Sequence, residues 1–149
     1  MFDDDYVIEK LFPNIGKDYV ITSPQDDDYN CIAFAADDLT RCWWPIYNYW
    51  PPNVPEREDL DSFIQCFSAL GYLPCGLNAN FEFGFDKVAI YVNNFGMPTH
   101  AARQYGYGNG MWKSKLGPYK DIEHTLEGLS GIFHTQSYGI VTIILKRKS

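Results

Sequence analysis

The stretch from Lys87 to Leu116 limits the possible folds more than any other part of the chain. Lys87-Val88-Ala89-Ile90-Tyr91-Val92 is rich in β-branched and aromatic residues and reads as a strand. Asn93-Asn94-Phe95-Gly96 reads as a turn, and Met97 to Gln104 as a second strand. A glycine-bearing turn, Tyr105 to Gly110, then leads into a third strand, Met111 to Leu116. Consecutive strands joined by short turns must pair antiparallel. The pattern therefore predicts an antiparallel meander with His100 in its middle strand. A further strand over 138–146, Tyr-Gly-Ile-Val-Thr-Ile-Ile-Leu-Lys, is the most apolar and is expected to lie centrally.

Helical patterns come mostly before this region. In residues 55–71, Leu60, Phe63, Ile64, Phe67 and Leu70 share one face at helical spacing. Pro55 and the acids Glu56, Glu58 and Asp59 suit a helix start, and Gly71 suits its end. Tyr6 to Phe12 predicts a short helix stopped at Pro13, and Tyr19-Val20-Ile21 an extended segment. Residues 119–129 also read as helical, with Ile122, Leu126 and Leu129 on one face and His124 exposed. His134 falls in a loop-like stretch. The mixture predicts an α+β fold in a single domain spanning 1–149.

Within that frame, Tyr29-Asn30-Cys31-Ile32-Ala33-Phe34-Ala35-Ala36 places a cysteine at the mouth of an apolar helix over residues 31–40. Upstream lies an acidic loop, Ser23 to Asn30. A thiol in the first helical turn faces unpaired backbone N–H groups and the positive end of the helix dipole, and both favour the nucleophilic thiolate. An imidazole is the natural partner for such a thiol. His100 stands between the small residues Thr99 and Ala101-Ala102, which leave room for another element to approach. The loop Arg41 to Pro52, with Trp43, Trp44 and three prolines, cannot form a regular helix. It reads as packing over the core or as one wall of a substrate groove, to which Trp112 is a candidate contributor.

The remaining composition excludes other classes. A net charge of −7 argues against nucleic acid as a partner. The acidic start, Met-Phe-Asp-Asp-Asp, is not a signal peptide, and no run is long and apolar enough to span a membrane. A cytoplasmic location is expected, or export by a route independent of a signal peptide. Cys31, Cys42, Cys66 and Cys75 lack metal-ligand spacing, so no metal or cofactor is expected, and reduced thiols are.

The residues around Cys31 and His100 resemble the papain-like cysteine peptidases. Cys31-Ile32-Ala33-Phe34-Ala35 is similar to that family's nucleophile helix, and Gln25 stands where the family has its oxyanion-hole glutamine. His100-Ala101-Ala102, Gly106-Tyr107-Gly108 and Trp112 to Gly117 resemble the histidine strand, the following turn and the strand carrying the orienting residue. At 149 residues the chain is closer in size to NlpC/P60 and CHAP amidases. The resemblance implies a nucleophile helix packed on a small antiparallel sheet. It implies Cys31 as nucleophile, His100 as acid and base, and Gln25 in the oxyanion hole. Ser114 aligns with the orienting residue (Lys113 if the register slips by one), and Asn109 and Asp121 are alternatives for the role. The substrate implied is a peptide or amide bond in a peptide or protein.

Two readings of another class stay open. One is a non-catalytic binding module that recognises its partner through the aromatic loop at 43–50. The other is an immunity or adaptor protein whose acids at 3–5 and 26–28 engage a basic partner.

Overall fold

The computed structural model describes residues 4–116, 120–131 and 138–149. The elements, in order, are α1 (Asp4–Leu11), β1 (Tyr19–Ile21), α2 (Cys31–Ala35), α3 (Leu60–Ser68), β2 (Leu73–Pro74) and β3 (Phe85–Val92). They continue with β4 (Pro98–Gln104), β5 (Trp112–Lys115), β6 (Asp121–His124), a 3-10 turn (Glu127–Leu129) and β7 (Ile140–Lys148). All paired strands run antiparallel in one seven-stranded sheet, ordered β1-β6-β5-β4-β3-β7-β2. The α+β class and the β3-β4-β5 meander are as expected, with His100 on the central strand β4.

Successive side chains of a strand point to opposite faces, and here both faces are covered. On one face Val88, Ile90, Ala101 and Leu145 meet Ile32, Phe34, Phe63, Phe67, Trp43 and Trp50 from α2, α3 and the aromatic loop. On the other, Ala89, Tyr91, Ala102, Ile122 and Ile144 meet Ile8, Phe12 and Leu129 from α1 and its sequel and from the 3-10 turn. Fully burying a phenylalanine such as Phe63 or Phe67 contributes roughly 2–3 kcal/mol. The sheet is the middle of three layers.

Asp59 explains where α3 begins. Its carboxylate accepts the Ser62 N–H at 2.8 Å, which caps the helix and leaves Pro55 to Glu58 outside it. The helix at Cys31 is also shorter than the expected 31–40. It ends after Ala35, and Asp37 takes a left-handed φ of 67°. Gly139 has a φ of 98°, and a Cβ there would collide with the Val92 carbonyl, so only glycine lets the chain enter β7 this close to β3.

Two further expectations need correction. Strand β7 is not central. It lies one place from the edge, covered by the two residues of β2 and by Cys75 and Gly76, which bond to Ile144. Of the expected helix over 119–129, Tyr119 lies outside the described residues and residues 120–129 are not a helix. Asp121–His124 form β6, paired with β1 and β5, and Glu127–Leu129 form the 3-10 turn. His124 is fully buried rather than exposed. His134, Gly117, Asp3 and the side chains of Asp4 and Asp5 lie outside the described residues. No helix among the described residues is long and apolar enough to cross a membrane.

Candidate functional site

Asn30 builds the entry to α2. Its Oδ1 accepts the Ala33 N–H at 3.1 Å, capping the helix, and the Trp43 N–H at 3.0 Å. Its Nδ2 donates to the Trp43 carbonyl at 2.8 Å. One side chain thus fixes the helix start and clips the aromatic loop to it. Asn30→Ala is expected to cost about 2–3 kcal/mol, roughly 1 for the cap and 1 for each bond to Trp43 that is lost. The urea midpoint checks this, and an unchanged midpoint would contradict the clip.

Cys31 follows, 8% exposed, in the cluster that contains Ala101. Burial pushes its thiol up to about 11, against the opposing pull of the backbone N–H groups of Ala101 and Ile32. The expected acidified thiol is therefore corrected: desolvation outweighs the helix-start donors.

The ring of His100 occupies the other face. His100 pairs with Tyr91 across the strands, stacks on Tyr138 at 4.0 Å between centroids and meets the Tyr91 ring edge-on at 5.4 Å. Tyr91 and Tyr138 both belong to the second core. Ala101, the next residue on the strand, is the one that faces Cys31. The structure thus does not bring the thiol and the imidazole together, because the sheet lies between them.

His100 does meet Ser114, its expected orienter, at 2.9 Å from Nε2 to Oγ. Ser114 also meets His124 Nε2 at 2.7 Å, and His124 Nδ1 lies 2.7 Å from the Thr125 carbonyl. A carbonyl only accepts, so His124 carries its proton on Nδ1. In the neutral ring Nε2 then accepts the Ser114 O–H, and Ser114 Oγ accepts His100 Nε2–H. His100 Nδ1 is left bare, without a hydrogen-bond partner among the described residues. Burial holds both imidazoles neutral: His124 is pushed down to about 4, and His100 well below its ordinary value. His124 is the member that sequence reading missed. Its signal was the alternation of Asp121-Ile122-Glu123-His124, a strand period with histidine as an inward residue.

The other candidates are scattered. Asn109 lies in a turn, accepting the Met111 N–H and reaching Glu123 at 3.4 Å. Asp121 accepts the Tyr29 hydroxyl at 2.6 Å on the Cys31 face, and neither residue orients His100. Lys113 pairs with Glu123 at 3.6 Å. Gln25 is exposed in the loop before α2. That loop is held at its neighbour Asp26, whose carbonyl takes the buried Lys115 ammonium. Asp27 and Asp28 are exposed.

The tryptophans do not line one groove. Trp43 is buried and donates to Asp38, and Trp44 packs edge-on against Phe63 and donates to Glu58. They are core rings with their N–H groups paired at the surface. Trp112 is buried on the opposite face, where it lines a pocket of about 220 Å³ with Met111, His124, Leu126 and Glu127. A second pocket of about 210 Å³ shares Ala79, Leu126 and Glu127 with it and continues to Val141 and Ile144. Both nitrogens of His124 are already engaged, so this histidine offers the pocket neither a base nor a metal ligand. No metal-binding cluster of His, Cys, Asp and Glu occurs among the described residues.

No curated protein and no solved structure matches the chain. One family model, described as "Domain of unknown function (DUF7689)", matches residues 20–146, from β1 into β7. That span holds Cys31 and the Asn30 clip on one face of the sheet and the His100–Ser114–His124 relay on the other, and the chain belongs to the DUF7689 family.

Proposed function

We propose that the chain is a non-catalytic binding module. One observation carries this reading. The thiol of Cys31 and the imidazole of His100 stand on opposite faces of the sheet, so among the described residues no imidazole is placed to take the thiol proton. Burial of both groups supports it further, because each is held in its neutral form. The recognition surface is the pair of adjoining pockets rather than the aromatic loop, whose tryptophans are packed inward. Leu126, Met111, Val141 and Ile144 suit apolar side chains, and among the described residues Glu127 is the one charged group lining either pocket. The fitting partner is a short protein segment that combines apolar residues with a neighbouring Lys or Arg. The chain's net charge of −7 favours the same kind of partner.

Selection from a randomised hexapeptide library on phage tests this. The wild type should enrich apolar sequences containing a basic residue. Glu127→Lys should lose the basic preference, and Leu126→Glu should lose the enrichment. Enrichment that is the same in all three proteins would overturn the pockets as the binding surface.

A second reading, a papain-like amide hydrolase, keeps one favouring observation. The backbone N–H groups of Ala101 and Ile32 are directed at the Cys31 sulfur, the kind of donors an oxyanion requires. It requires an imidazole to reach the Cys31 face, and alkylation kinetics separate the two readings.

A further inference from the structure

We propose that Cys31 and Cys42 are a redox-reversible pair, which a small-molecule disulfide closes into a disulfide bond across the start of α2. The pairing follows from how Asn30 grips Trp43. One side chain bonds both the N–H and the carbonyl of Trp43, at 3.0 and 2.8 Å, so positions 30 and 43 are held against each other. One step forward from Asn30 is Cys31, and one step back from Trp43 is Cys42. The Cys42 backbone is itself fixed, its carbonyl accepting the Tyr49 N–H at 3.3 Å. Cys42 also lies close enough to act electrostatically on the Cys31 thiol. The other cysteines have no such neighbour. Cys66 is fully buried on α3, with burial alone acting on it, and Cys75 packs with the core on the far side of the sheet.

The chemistry runs in two exchanges, with oxidised glutathione as the oxidant. Cys42, the more exposed thiol, attacks as thiolate on one glutathione sulfur. A bond forms from Cys42 to that sulfur, the glutathione disulfide breaks, and one glutathione thiolate leaves. Cys31 then gives its proton to solvent and its sulfur attacks the Cys42 sulfur, displacing the second glutathione as thiolate. Two protein thiols are oxidised to one disulfide, and one glutathione disulfide is reduced to two thiols. Because burial holds Cys31 protonated, the second exchange is the slow one. Its rate should climb roughly tenfold per pH unit below the thiol's pKa.

The full chain is incubated with oxidised glutathione at several pH values, quenched with N-ethylmaleimide after denaturation, digested and analysed by mass spectrometry. The expected product is a cross-linked Cys31–Cys42 peptide that is opened by dithiothreitol, with Cys66 and Cys75 still alkylated. The mixed disulfide at Cys42 should precede it. Cys42→Ser should abolish the cross-link and leave Cys31 alkylated. A Cys42 that stops at the mixed disulfide, while Cys31 remains a thiol, would overturn the proposal, as would a disulfide to Cys66 or Cys75. The wild-type time course decides this even if the variant does not fold.

Discussion

Replacing Ser114 with alanine is expected to destabilise the protein by about 2–6 kcal/mol, although a serine on a strand is usually an inexpensive position. Alanine removes the hydroxyl and adds no atom. That hydroxyl is the joint of a relay in which every proton has an assigned place. His100 Nε2–H donates into Ser114 Oγ at 2.9 Å, and Ser114 O–H donates into His124 Nε2 at 2.7 Å. Without it, one buried donor and one buried acceptor are orphaned. Each unsatisfied buried group costs roughly 1–3 kcal/mol, since neither reaches water. All three residues are fully buried, so no solvent rescue is at hand. Chemical denaturation of Ser114→Ala against wild type measures the cost. A loss under about 1 kcal/mol, the worth of one ordinary hydrogen bond, would mean that the relay is not satisfied as described.

The second large effect is a loss of stability on mild acidification. Both histidines are buried neutral, with folded pKa values depressed below the ordinary 6.5. The unfolded chain therefore binds protons that the folded chain refuses. Stability from these residues is complete above about pH 6.5 and is lost as pH falls toward about 4, where His124 titrates in the folded state. That displacement corresponds to roughly 3 kcal/mol for His124, with His100 adding in the same direction. The geometry explains the resistance. A proton added to His124 at Nε2 meets the Ser114 O–H, and one added to His100 at Nδ1 finds no acceptor among the described residues. Below this window the carboxylates take over. Hydrogen bonds from Thr40 and Trp43 hold Asp38 well below the usual range. Burial pushes Asp86 upward, but bonds from Ser149, the Gly106 N–H and Arg103 outweigh it and leave it low. Urea midpoints at pH 7 and pH 4.5 check the histidine window, and equal midpoints would contradict it.

The sequence made the sheet legible and the site illegible, for one physical reason. Strands β3, β4 and β5 stand out through their β-branched residues and glycine turns. Because helices and turns cover the sheet on both sides, β4 carries no inward–outward alternation. Nothing in Thr99-His100-Ala101-Ala102 says which of His100 and Ala101 faces α2. A one-residue choice of face decides whether Cys31 has a partner, and the fold places Ala101 there. Strand β6 was hidden differently. Ile122, Leu126 and Leu129 fit helical spacing, and they do converge on one core, but from a strand and a 3-10 turn. At Trp43, Trp44 and Trp50, ring-rich composition suggested a groove. The rings go inward because Asp38, Glu58 and the Pro55 carbonyl accept their N–H groups. The apolar run over 138–146 reads as a central strand, yet two residues of β2 and the following loop are enough to cover β7 next to the edge.

The separation of Cys31 from His100 by the sheet is tested most directly by the rate of Cys31 alkylation with iodoacetamide from pH 4 to 9, in wild type and in His100→Ala. The arrangement described here predicts slow reaction below pH 8, a rate still rising at pH 9 as befits a thiol held up near 11 by burial, and the same profile in His100→Ala where that variant remains folded. Fast alkylation well below pH 8 in wild type would by itself contradict it. The loss of that reactivity in His100→Ala would identify the thiolate–imidazole pair of a hydrolase.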